Sequence, residues 1–118
     1  VPIFGPTGSG ISGATSIGEG TALSFGPLVI TARFTPGHAE AHNCYVVESR
    51  EARNGVPLLV SGDLLFAGSV GGGYFCHRRL ETHVHRLLAE LPADTVVGPG
   101  HGPLTTIRNE RSFNPFVH

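Results

Sequence analysis

The stretch VPLLVSGDLLFAGSVGGG, from Val56 to Gly73, decides how the rest of the chain is read. Val56-Pro57-Leu58-Leu59-Val60 is a short apolar run rich in β-formers, the pattern of a buried strand. Ser61-Gly62 ends that run, and Asp63 follows at the strand's carboxyl end. Leu64, Leu65 and Phe66 come next, and a carboxylate buried among them without a partner would be costly. A cation or several donors against it would make burial tolerable. Taken alone, an Asp in this place caps a turn. Its company points further: Thr35-Pro36-Gly37-His38 lies upstream and Gly98-Pro99-Gly100-His101-Gly102 downstream.

Working outward, Leu28 to Phe34 and Asn43 to Glu48 read as two more strands, and Thr95-Val96-Val97 as a short fifth. Thr21 to Phe25 precedes the turn signal Gly26-Pro27, so it pairs with Leu28 to Phe34 as a hairpin. Val1 to Phe4 suits a short edge strand, because Pro2 removes a ladder donor. The clearest helix is His77 to Leu91, where Leu80, Val84, Leu87, Leu88 and Leu91 form one apolar stripe closed by Pro92. Thr105 or Thr106 caps a short last helix to about Arg111. Asn114-Pro115 breaks it and leaves a tail to His118.

Gly5 to Ser12 fits the phosphate-binding pattern GxxxxGK[ST] except at the Lys, where Ile11 stands. No Lys occurs anywhere in the chain, and the glycines that follow make poor helix. A surface loop running on to Gly20 is the reading taken, ahead of a nucleotide site.

Composition narrows the function classes. The 118 residues amount to one domain with a real core, and a net charge of -1 gives no reason to expect nucleic acid or an anionic membrane surface. All eight basic residues are scattered Arg. No apolar stretch reaches the roughly 18 residues of a membrane span, and no signal-peptide pattern is present. Cys44 and Cys76 are too few for a disulfide framework, and Cys44 inside an apolar strand suits a reduced structural thiol. The expected location is cytoplasmic. The chain begins with Val and contains no Met, which is how a piece of a longer protein would look.

Seven histidines are many for this length. His38, Asp63 and His101 share one placement, a Gly-rich turn leaving a strand's carboxyl end, and such ends gather on one sheet edge. Imidazole and carboxylate are ordinary Zn²⁺ ligands, so a shared metal site stands beside the alternative of three unrelated turns. His83 and His85 point about 200° apart on a helix and are read as solvated. His42 could ligate or hydrogen-bond to the turn, and the second reading is preferred.

Read together, FTPGHAEAH, NCYVV, LLVSGDLLFAGSVG, LPADTVVGPGHGPLTTIRNER and FNPF resemble, in order and spacing, the second half of a metallo-β-lactamase-fold hydrolase. The hydroxyacylglutathione hydrolase (glyoxalase II-like) branch is the nearest resemblance. It implies an α/β (α+β) fold, half of an αββα sandwich with a mixed or antiparallel sheet and two helices, over residues 1–118 as a single partial domain. By position, His38 resembles a ligand of a first metal, His101 a ligand of a second, and Asp63 the carboxylate bridging both. Tyr74 resembles a substrate-contacting aromatic, although the Lys usual near it is missing. Ala41 stands where Gly is common. The HxHxDH motif that supplies the remaining ligands does not occur, and THVHR within the long helix is only an echo of it.

The resemblance therefore implies two Zn²⁺ ions per complete site, with iron or manganese as other choices. It implies hydrolysis of a small-molecule acyl thioester such as a hydroxyacylglutathione. A single-iron sulfur oxygenase shares the fold. The isolated chain is expected to bind metal weakly and not to hydrolyse. It is also expected to expose a sheet face that a missing N-terminal half or another chain would cover. The alternative is a non-catalytic binding or assembly module derived from the same fold.

Overall fold

The computed structural model describes residues 2–51 and 55–117. Val1, the middle of the connection between Ser49 and Gly55, and His118 lie outside the described residues. Among the described residues the centre is a six-stranded sheet. Its strands are β3 (Ala22–Phe25), β4 (Leu28–Phe34), β5 (Asn43–Ser49), β6 (Leu58–Gly62), β9 (Val96–Pro99) and β10 (Thr105–Thr106). They lie side by side in the order β10-β9-β6-β5-β4-β3. All neighbours are antiparallel except β6 and β9. That exception follows from the connection between them, which is long enough to hold a helix and carry the chain back to the same edge.

The connection begins with a tiny hairpin, β7 (Leu65–Phe66) with β8 (Ser69–Val70), and continues into α1 (His77–Glu90). Helix α2 (Ile107–Phe113) follows β10. The helix boundaries lie within two residues of those the apolar stripe and the Thr cap predict, and Thr106 does accept from the Asn109 N–H. The mixed sheet with two helices is the expected α/β architecture.

Residues opposite each other across a ladder share a face of the sheet. Val46 pairs with Leu59, and Leu59 with Val97, which puts all three on one face. Leu80, Val84, Leu87, Leu88 and Leu91 of α1 cover that face and, with Cys44 and Ile107, make the core. Fully burying each such side chain is worth roughly 1.5–3 kcal/mol before the ordering cost. Glu19 clamps α1 from outside: Arg33 lies 3.2 Å and Arg86 3.1 Å from its carboxylate, and Arg33 also reaches Glu90 at 2.6 Å.

The opposite face carries Tyr45, Val60 and Ile30. It is apolar and largely open, with Phe25, Leu28 and Val60 exposed. Phe4, Ile17, Leu23, Phe25, Ile30 and Tyr45 line a shallow hollow on it.

Several details differ from the sequence expectations. The region after Gly13 is not all loop: β2 (Ala14–Ile17) pairs in parallel with β1 (Ile3–Pro6). The fourth core strand starts at Leu58 instead of Val56, since Pro57 has no N–H to give the ladder. The tail after Pro115 is ordered as a 3-10 turn, Pro115–Val117, whose Val117 packs on the core. His83 is not simply solvated, for it is half-buried with its Nδ1 unpartnered. Burial, then the nearby Arg86, lowers its affinity for a proton. His85 is exposed as expected.

Candidate metal centre

Strands β4, β6 and β9 run in one direction, so the loops leaving their carboxyl ends meet at one edge of the sheet. His38, Asp63 and His101 are carried by those three loops. His38 Nε2 lies 3.5 Å from Asp63 Oδ2, and His101 Nδ1 lies 3.0 Å from Asp63 Oδ1. The three turns therefore converge on one carboxylate, with an imidazole at each oxygen. Asp63 is not buried outright, since its side chain keeps 38% of its exposure. Leu64 and Leu65 beside it are fully buried.

Glycine makes the convergence sterically feasible. A Cβ on Gly71 would stand 1.7 Å from the Asp63 carbonyl oxygen, and one on Gly100 would stand 3.1 Å from Asp63 Oδ1. Gly100 also donates its N–H to the Gly62 carbonyl at 2.8 Å, tying the His101 loop to the Asp63 loop. At Gly37, where φ is +153°, a Cβ would meet the Leu80 backbone at 2.5 Å. The bare α-carbon lets the His38 loop lie on the first turn of α1, where the Gly37 carbonyl accepts from Phe75 and Cys76.

His38 Nδ1 donates to the Gly72 carbonyl at 2.9 Å. A carbonyl can only accept, so the neutral ring has its proton on Nδ1 and turns a lone pair on Nε2 toward Asp63 Oδ2. Two acceptors facing each other need a proton or a cation between them. That arrangement suits a divalent ion, and a His whose outer nitrogen bonds to a carbonyl is the usual orientation of a metal ligand. Each imidazole addresses a different oxygen, however. Among the described residues no group of three or more His, Cys, Asp and Glu is arranged to hold a single ion. One imidazole and one carboxylate oxygen give an ion at either place two protein donors, fewer than the three of a catalytic zinc site.

Tyr74 is beside the centre: its ring meets that of His38 edge-on at 5.3 Å and is 86% exposed. His101 is backed by Phe66 at 5.9 Å. His42 bonds through Nδ1 to the Thr35 hydroxyl at 2.9 Å, as preferred from the sequence. Burial, then the neighbouring His38, holds His42 below its usual proton affinity, while Asp63 works the other way. Cys44 is a free buried thiol that burial pushes up to about 12. The Gly72 carbonyl and the Gly100 bridge escape sequence reasoning, and the runs Gly71-Gly72-Gly73 and Gly98-Pro99-Gly100 are their signals.

No family model matches the chain. It is 37% identical over 101 residues to the Bacillus subtilis protein named Probable metallo-hydrolase YqgX, covering 81% of this chain and 44% of that one. The chain thus spans less than half the length of this curated relative. The crystal structure of TTHA1623 in a di-iron-bound form is 35% identical, with a TM-score of 0.65, over 87% of this chain and 48% of that one. A metallo-β-lactamase from Staphylococcus aureus superposes at a TM-score of 0.80 with 20% identity, over 93% of this chain and 36% of that one. The two helices, the mixed sheet and these likenesses show that the chain has the metallo-β-lactamase fold over the part of it that it spans.

Proposed function

We propose that residues 1–118 are a single partial domain, the C-terminal half of a metal-dependent hydrolase acting on an acyl thioester such as a hydroxyacylglutathione. The observation that carries this reading is the placement of one imidazole at each oxygen of Asp63. In it, His38 serves a first ion, His101 a second, and Asp63 both. Bound ions would supply hydroxide at neutral pH and charge stabilisation of a developing oxyanion. Zinc is the ion proposed, with iron or manganese as other choices.

The chain's own groups do the positioning. The Gly72 carbonyl fixes the His38 ring through Nδ1, and the Gly100–Gly62 bond sets His101 against Asp63. Tyr74, exposed beside His38, offers an aromatic face to the substrate. The remaining ligands belong to an N-terminal half or another chain, seated on the open apolar face that carries Val60 and Phe25. A cytoplasmic setting agrees with two free thiols.

The test is hydrolysis of a hydroxyacylglutathione thioester by this chain combined with an HxHxDH-bearing half in the presence of zinc. Turnover that needs both halves and is abolished by Asp63→Asn is the expected result. No turnover, with a stable complex formed, would favour the assembly-module alternative.

A further inference from the structure

The proposed ligand set leaves His42 without a role, although its ring sits among the site's loops. Its Nδ1 is 2.9 Å from the Thr35 hydroxyl. That hydroxyl has one proton, and it goes to Cys44 Sγ at 3.4 Å. The Cys44 S–H donates in turn to the Ser61 carbonyl at 3.6 Å. Thr35 and Cys44 are both fully buried, so the chain of bonds has no water to turn to and must be satisfied internally. With that proton on Cys44, the Thr35 oxygen is free to accept from His42 Nδ1.

A neutral imidazole with its proton on Nδ1 has a bare lone pair on Nε2. That Nε2 lies against Gly62, 3.0 Å from where a Cβ would stand, one residue before Asp63. No hydrogen-bond donor is found for it among the described residues, and the ring is half-buried. We propose that His42 is a binding residue of this centre, a hydrogen-bond acceptor of fixed tautomer whose Nε2 holds the O–H of a water beside the Asp63 turn. The role of that water as reactant rests on the hydrolase reading. The tautomer and the water do not.

The experiment is nitrogen-15 NMR of the histidine rings in the labelled chain, without metal, at a pH where the rings are neutral. It is combined with a rotating-frame measurement of water contacts. The expected result is the Nδ1-protonated pattern for His42, the less common form of free histidine, with a water contact at its Cε1–H. Thr35→Val should shift the ring toward the Nε2-protonated pattern, and Thr35→Ser should retain the original one. If Thr35→Val fails to fold, the wild type and Thr35→Ser decide. An Nε2-protonated wild type, no water contact, or a Thr35→Val ring unchanged would each overturn the proposal. A failed metal or hydrolysis assay leaves these readouts untouched, so the two readings fail separately.

Discussion

Around Asp63 the chain places glycine wherever two backbones meet. Gly71 touches the Asp63 carbonyl and Gly100 its carboxylate, so a methyl group at either must move the turn. Gly71→Ala is predicted to cost about 2–4 kcal/mol, read by urea unfolding, and to disperse the His38 ring resonances. Gly100→Ala, where the contact is looser, should cost less than half of that. Glu110 is a second residue-scale case, fully buried and accepting from Gly68, Asn109 and Asn114 at 2.7–3.1 Å and from the Thr105 hydroxyl. Burial pushes its carboxyl up, but the bonds from Thr105, Gly68, Asn109 and Asn114 outweigh this and hold it below 4.5.

A carboxylate depressed on folding contributes stability above its unfolded value, and that contribution disappears as pH falls through the folded value. The denaturation midpoint should therefore drop below about pH 4.5. Glu110→Gln should flatten that drop and, by setting an amide against two donors, cost about 2–4 kcal/mol at neutral pH. The ligand-type residues were legible because each follows a strand with a glycine at its shoulder. The structural Glu110 was not, because its partners come from Gly68 and Asn114, which no local pattern links to it.

At the scale of elements, α1 is anchored by its stripe and weakly capped. Cys76 occupies the N-cap position with no side-chain bond, and no acidic residue lies in the first turn. Cys76→Ser is predicted to stabilise the chain by about 1 kcal/mol in thermal or urea unfolding. Leu87→Ala, in a fully buried position, is predicted to cost about 2–5 kcal/mol. The helices were readable to within two residues since an apolar period of 3.6 and a Thr cap are local signals. Strand β2 was not, because Ala14-Thr15-Ser16-Ile17 has no alternation of its own and is held by its pairing with β1. Likewise the two-residue strands β7 and β8 exist only as a hairpin under Gly71, whose N–H bonds to the Leu64 carbonyl.

For the whole molecule, the sheet is finished on one side only. Helix α1 closes one face, while Val60, Phe25 and Leu28 leave the other apolar and open. Such a patch promotes self-association unless it is covered. Val60→Lys should lower the sedimentation-derived oligomer fraction at high concentration while leaving the unfolding midpoint within about 0.5 kcal/mol of wild type.

The proposed function depends most on Asp63 joining two ion sites through His38 and His101. Metal analysis of the chain assembled with an HxHxDH-bearing half tests this directly. Two ions per complex are predicted, falling to one in His38→Ala and in His101→Ala, with both lost or weakened in Asp63→Ala. Undiminished metal content in all three variants, or none in the wild-type complex, would contradict it.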